Sequence, residues 1–128
     1  MKPGARALGI AESTDERSGR CVLCGAVVRA DRVVDGVAFA TATVGGLDAT
    51  DAVCALVDRL DREDVQYLLL SGVAPAWFNV VDLRRVAEAA DRPVLSISYE
   101  ESPGLESALC EHFDGEALEA RLSRYERL

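Results

Sequence analysis

Two carboxylates lie where a metal-dependent site could form. Glu12 lies at the end of the first hydrophobic stretch, and Asp48 lies just before a helical pattern. Carboxylate oxygens are preferred Mg²⁺ ligands, and two such ions held by several carboxylates can activate water and stabilise a leaving oxygen. Glu12 and Asp48 are therefore our catalytic and metal-binding candidates, with Asp51 and Asp82 as outer partners.

The same residues have structural interpretations. Asp48 and Asn79 suit helix N-caps, and Asp51 and Asp82 suit a first helical turn, where negative charge is favourable. Glu12 is equally explained as a solvated glutamate at a strand end. The sequence contains no Ser-His-Asp, phosphate-binding-loop or dinucleotide-binding motif.

A second group of candidates follows a predicted buried strand. It contains the only tryptophan and one of the three phenylalanines, side by side. Adjacent rings could stack on a nucleic-acid base, or they could pack into the core with the loop folded over the sheet. The ligand-binding candidates of this group are Ser71, Gly72, Trp77, Phe78, Asn79 and Asp82.

The cysteines do not predict a strong metal site. Cys21 and Cys24 have a zinc-ligand spacing, but residues three apart in a strand point to opposite faces. Cys110 and His112 could add ligands, although no second matching pair is present. Cys54 lies on the apolar side of a predicted helix, and we expect reduced thiols in a cytosolic chain.

The charge composition bears on partners and location. The net charge is −8, and Lys2 is the only lysine among 14 basic residues. This composition favours a halophilic source, with an ordinary acidic protein as the alternative, and it opposes broad binding to phosphate backbones unless Mg²⁺ or salt screens the repulsion. No apolar run is long enough for a membrane span or a secretory signal, so we expect a cytoplasmic protein.

Hydrophobic periodicity divides the chain into strands and helices, which we assign to one domain, residues 1–128. Asp35 and Gly36 predict a bulge in the third strand. The predicted strands are Arg6–Ser13, Cys21–Arg29, Arg32–Val44, Val65–Gly72 and Pro93–Glu100, and the predicted helices are Leu47–Leu60, Asn79–Ala90, Pro103–Phe113 and Gly115–Leu128.

This order of elements predicts an α/β fold. Three closely joined strands pair antiparallel, and the later strands follow through right-handed helical crossovers. The result is a ribonuclease H-like three-layer fold, a mixed five-stranded sheet with helices on both faces; another three-layer α/β sheet with an antiparallel edge is the alternative. Sites form beyond the carboxyl ends of such strands, where Glu12, Asp48, Ser71 and Gly72 would converge.

Several motifs resemble those of a known family. They are Gly9–Glu12, Gly45–Thr50 and Leu70–Asp82, of which the block Trp77–Asp82 is the most specific, and Arg92–Ser98 also fits. On these motifs the chain resembles the archaeal "domain of unknown function 99" family, whose fold is related to that of endonuclease V. The resemblance covers nearly the whole chain.

The resemblance implies a Mg²⁺ site, because endonuclease V cuts near deaminated bases with Mg²⁺ held by carboxylates at these positions. Relatives in the family carry Asp-Asp after the first strand and Asp-Gly after the fourth, whereas this chain carries Ala11 and Glu12, then Ser71 and Gly72. We therefore expect a non-catalytic or degenerate member that binds nucleic acid or a partner protein. The alternative is a Mg²⁺-dependent endonuclease acting on damaged or deaminated nucleic acid.

Overall fold

The computed structural model describes residues 4–15, 17–72, 75–97 and 105–126, without the side chains of residues 76 and 77. Within these ranges the strands and helices alternate much as the hydrophobic periodicity predicts. In chain order they are β1 Arg6–Asp15, β2 Arg20–Arg29, β3 Val34–Thr43, α1 Ala49–Leu60, β4 Val65–Ser71, α2 Pro75–Phe78, α3 Leu83–Ala90, β5 Val94–Ile97, α4 Glu106–His112 and α5 Gly115–Glu126.

The strands form one mixed sheet in the order β3-β2-β1-β4-β5. β1 pairs antiparallel with β2, and β2 pairs antiparallel with β3, whereas β4 is parallel to both β1 and β5. The register between β2 and β3 shifts opposite Val27 and Val28, next to Asp35, as the bulge prediction requires. The predicted mixed five-stranded sheet is confirmed.

Helix α1 covers one face of this sheet and builds the core with it. The buried side chains of β1 and β2 alternate along each strand, and Leu8, Leu23 and Val27 point toward this helix-covered face. Gly25 permits close packing, because a Cβ atom there would lie 2.5 Å from a terminal methyl of Leu56. Position 25 therefore favours glycine, which lets α1 lie against β2.

The opposite face of the sheet corrects one detail of the sequence prediction. Large apolar side chains remain exposed there, although we predicted helices on both faces. The exposed side chains on this face are Val22, Val37, Phe39, Leu95 and Ile97. The described part of the chain therefore leaves these positions without a helical cover.

The segment between β4 and α3 also differs from the prediction, which began a helix at Asn79. A short helix, α2, ends at Phe78, whose φ of 60° is left-handed. Helix α3 begins only at Leu83, and the Asp82 side chain accepts a hydrogen bond from the Arg85 backbone N–H. Asp82 is thus the N-cap of α3, and the prediction of Asn79 in that role was wrong.

Candidate functional site

A small cleft opens at the carboxyl ends of the parallel strands β1 and β4. After these strands the chain diverges, from β1 into the β2 hairpin and from β4 toward α2. Of the candidates from the sequence, Glu12, Ser71 and Gly72 meet here, as expected for a strand-end site. The lining residues are Ile10, Ala11, Glu12, Leu23, Val53, Leu70, Ser71, Gly72 and Pro75.

Glu12 is the one carboxylate among those lining residues. Its side chain is exposed, and its Oε2 atom accepts hydrogen bonds from the Thr14 hydroxyl at 2.9 Å and the Cys21 thiol at 3.3 Å. Cys21 is buried beneath it. The cleft thus offers one carboxylate acceptor, which the Thr14 hydroxyl and the Cys21 thiol hold in place.

Asp48 does not line this cleft, and its carboxylate is engaged elsewhere. It accepts hydrogen bonds from the Thr43 backbone N–H at 3.0 Å, the Thr43 hydroxyl at 2.8 Å and the Asn79 side-chain amide at 2.8 Å. Partial burial acts to raise the pKa of Asp48, but these donors outweigh it and hold the pKa below the ordinary value of 3.8. Asp48 occupies the N-cap position of α1 without forming a side-chain cap bond.

This lowered pKa predicts an acid-dependent contribution to stability. We expect Asp48→Asn to reduce the free energy of unfolding at neutral pH by roughly 1–2 kcal/mol, because an amide cannot accept all three bonds. Above the unfolded-state pKa the full Asp48 contribution is present, and it is lost as pH falls through the lower folded-state pKa.

The difference in the free energy of unfolding between wild type and Asp48→Asn should therefore shrink when urea unfolding is measured at successively lower pH, below 3.8. Asp58→Asn, an exposed substitution on α1, is the matched control. A difference that stays constant down to strongly acidic pH would contradict the assignment.

Asn79 supplies the cap that Asp48 does not. Its side chain is fully buried, and its Oδ1 atom accepts a hydrogen bond from the backbone N–H of Ala49, the first residue of α1, at 3.0 Å. Its amide donates to the Thr43 carbonyl at 2.9 Å and to Asp48. Asn79 therefore joins the end of β3, the start of α1 and the loop after α2.

Of the remaining predicted ligand-binding residues, Phe78, Asn79 and Asp82 do not line this cleft. The ring of Phe78 packs against His112 and Phe113, with ring centroids 5.4 and 5.9 Å apart. These contacts agree with the core-packing interpretation of Phe78, and base stacking by Phe78 stays a prediction. The Trp77 side chain lies outside the described residues, so its stacking role stays a prediction. Ligand binding by Asn79 and Asp82 is also untested, and both are buried in structural contacts.

Sequence reasoning missed a buried arginine at this end of the molecule. The Arg121 side chain on α5 donates to the carbonyls of Phe78, Gly45 and Gly46 at 2.6–3.2 Å, and its guanidinium lies 3.8 Å from the centre of the Phe113 ring. Burial, followed by the charge of Arg124, lowers its pKa, yet a guanidinium remains charged at physiological pH. Backbone acceptors leave no pattern in a sequence, so no signal pointed to Arg121.

The described residues fit a Mg²⁺ site poorly. Among residues 4–15, 17–72, 75–97 and 105–126, no group of three His, Cys, Asp or Glu side chains is placed to hold a metal ion. Asp51, an expected outer partner, pairs instead with Arg85. Cys21 is buried on the helix-covered face while Cys24 lies on the other face, so the two cysteines do not form a zinc pair.

The sheet order and the strand-end cleft define a ribonuclease H-like α/β fold of the endonuclease V type. A structure of Ciona intestinalis endonuclease V, in complex with DNA containing an inosine, matches 96% of this chain and 56% of its own with a TM-score of 0.54 at 9% identity. A crystal structure from Archaeoglobus fulgidus, of a protein of unknown function, matches 95% of this chain and 69% of its own with a TM-score of 0.85 at 30% identity.

The chain belongs to the endonuclease dU family, whose model matches residues 3–128. A relative from Pyrobaculum calidifontis, a UPF0215 protein, is 37% identical over 76% of this chain. The alignment spans about half of that relative, 53% of its length. The predicted similarity of fold to endonuclease V is confirmed, whereas the name "domain of unknown function 99" stays a prediction. No helix in the described ranges has the length and apolarity of a membrane span.

Proposed function

We propose that this chain is a degenerate member of the endonuclease dU family, which binds nucleic acid at the cleft of β1 and β4 without cutting it. The observation that carries the proposal is the supply of carboxylates. Glu12 lines the cleft, whereas Asp48 uses its carboxylate in three hydrogen bonds to Thr43 and Asn79.

Cleavage of a phosphodiester by two metal ions needs several anionic ligands at one point. The cleft offers Glu12, but Ala11 carries no ligand atom and Ser71 offers a neutral hydroxyl, a weak partner for Mg²⁺. The cleft residues therefore do not fit the ligand set of a two-metal site.

A lone carboxylate suits the recognition of deaminated bases. Deamination of adenine to hypoxanthine, or of cytosine to uracil, converts a ring nitrogen that accepts a hydrogen bond into an N–H donor. A carboxylate accepts from such a donor and is repelled by the unmodified acceptor. Glu12, the carboxylate that lines the cleft, would make this distinction.

The acidic surface sets conditions for such binding. At a net charge of −8, long-range repulsion opposes a phosphate backbone. A cytoplasm of high ionic strength, which the composition favours, shortens the range of this repulsion to a few ångströms. We accordingly place the protein in the cytoplasm of a salt-adapted cell, with short-range contacts to a base supplying the affinity.

The second candidate is a Mg²⁺-dependent endonuclease acting on damaged or deaminated nucleic acid. The family description and the position of Glu12 at the strand-end cleft favour it. In that case Glu12 would be a metal ligand, and its removal would abolish cleavage rather than change base preference.

Labelled oligonucleotides separate the two functions. We expect the wild type to bind a strand containing deoxyinosine more tightly than the same strand containing deoxyadenosine, and to leave both uncut in Mg²⁺ or Mn²⁺. Glu12→Gln should reduce this preference roughly tenfold, because a hydrogen bond to a charged acceptor is worth about 1.5–3 kcal/mol. Fluorescence anisotropy gives the affinities, and gel electrophoresis detects cleavage.

Glu88→Gln, an exposed substitution on α3, is the matched control and should leave the preference unchanged. Metal-dependent cleavage that disappears in Glu12→Gln would establish the second candidate. Equal affinity for both strands in wild type and variant would refute recognition by Glu12.

A further inference from the structure

The face of the sheet opposite α1, called the open face below, has the composition of an interface. Register places Ala11, Cys24 and Phe39 in one row across β1, β2 and β3 on this face. Phe39 is 55% exposed, and at the other edge of the sheet Leu95 is 55% and Ile97 38% exposed. Monomeric soluble proteins rarely expose a contiguous apolar surface that spans a whole sheet.

The open face also lacks charge in a protein that is rich in charge. Between the strand ends, its described positions on all five strands carry no Asp, Glu, Lys or Arg. The chain as a whole is 28% charged, with a net charge of −8. Charged residues are depleted in the same way at the cores of protein interfaces.

The apolar open face also contains a groove. A groove runs along β1 and β4 because the positions at its floor are small, and it is lined by Gly9, Ala11, Leu69, Ser71 and Ile97 together with Ile10 and Leu70. Phe39 lies on β3, two strands away from the groove floor on β1, which is roughly 10 Å. One face thus carries both an exposed ring and a groove.

We propose that the open face binds a second copy of this chain, with the two sheets packed face to face about a two-fold axis. A two-fold axis in the interface, parallel to the strands and above β2, brings β3 of each copy over β1 of the other. Phe39 of each copy then enters the groove above Ala11 of its partner. The contact is isologous, since the same surface serves on both sides.

The size and charge of the open face fit this occupant. About the proposed axis β1, β2 and β3 of the two copies overlap, and three strands of 10 residues spaced about 4.8 Å apart give roughly 500 Å² per copy. The total of about 1,000 Å² is what a specific interface needs as a minimum. Two chains of charge −8 repel, and the uncharged open face is where their contact costs least. High salt screens the repulsion and strengthens apolar contact.

The test is the oligomeric state of the whole chain, measured by sedimentation velocity from micromolar to near-millimolar concentration. We expect a dimer whose dissociation constant falls as salt is raised. Phe39→Glu and Val37→Glu, both at exposed positions of β3 within the overlap, should each weaken dimerisation by at least about 30-fold, as for a hot-spot residue. Val33→Glu adds the same charge at an exposed valine in the turn after β2, and should leave the dimer intact.

A measurement on the wild type covers the case in which a variant fails to fold. Cys24 is next to Phe39 in the open face, whereas Cys110 is exposed on α4. Alkylation followed by mass spectrometry should show Cys24 protected with rising protein concentration and Cys110 not. A wild type that stays monomeric in molar salt overturns the proposal. So does a dimer that both glutamate variants leave unchanged, or a dimer in which Cys24 is alkylated as fast as in the monomer.

The groove and the cleft share Ile10, Ala11, Leu70 and Ser71, and the dependence on salt distinguishes the two kinds of binding. Association through the open face strengthens with salt, whereas binding to a phosphate backbone weakens with salt. A monomer that still prefers the deoxyinosine strand would refute the dimer alone. If the monomeric Phe39→Glu variant lacks that preference, the cleft alone is refuted.

Discussion

Replacing Asn79 by alanine is expected to reduce the free energy of unfolding by about 3 kcal/mol, near the upper end for a polar-to-alanine substitution. The substitution removes three bonds at once, and it leaves the buried Ala49 N–H without its acceptor. Buried polar groups that lose their hydrogen-bond partners keep their desolvation cost, which explains the size of the effect.

Urea denaturation at neutral pH measures this loss, with Gln66→Ala as control because that amide is exposed on β4. Asn79→Asp adds a second test. It keeps the acceptor for Ala49 but places a carboxylate against Asp48, so it should be more destabilising at neutral pH than in acid. An Asn79→Ala loss below that of Gln66→Ala would contradict the structural role.

Replacing Arg121 by methionine should cost about 2–3 kcal/mol and should loosen α5. Methionine keeps much of the apolar contact with Phe113, but it leaves the carbonyls of Phe78, Gly45 and Gly46 without their donor. Arg121→Lys should recover little of the loss, because an ammonium cannot reach acceptors spread around a planar guanidinium.

Urea denaturation gives the stability change, and hydrogen exchange of the α5 amides reports the local opening. Arg84→Met is the control, since Arg84 is exposed on α3. If Arg121→Lys proves as stable as the wild type, the fork-like geometry of the guanidinium is not what secures α5.

The fold was accessible from the sequence because each strand of the sheet has a local signature. Alternating apolar residues identify β1–β3, and continuous apolar residues identify the buried β4. The meeting of Glu12 with Ser71 and Gly72 followed from topology, since β1 and β4 are parallel neighbours whose carboxyl ends share one edge.

The roles of Asn79 and Arg121 were not accessible in this way. Asn79 bonds to Ala49 across 30 residues, and Arg121 bonds to Gly45 across 76 residues. Their partners are backbone groups, which every residue has, so neither spacing nor residue type points to them. Local propensity instead favoured Asn79 as the cap of its own following helix, which Asp82 caps.

The prediction of helices on both faces of the sheet differs from the described structure for another physical reason. Apolar residues on both sides of a strand indicate that both sides are to be covered, and the sequence pattern does not specify by what. We inferred helices of the same chain. The described structure leaves Phe39 and Leu95 exposed. In our proposal a second copy of the chain, and not a helix, covers the apolar residues of the open face.

The contact between Asn79 and α1 has a consequence for the order of folding. The first turn of α1 receives its cap from a residue that follows β4, so α1 is incomplete until the chain has passed Asn79. A nascent chain that ends after α1 therefore has a frayed helix above a sheet without its central parallel pair. We expect the β1–β4 pairing and the closure of the helix cap to form together, because both need residues that follow α1 in the chain.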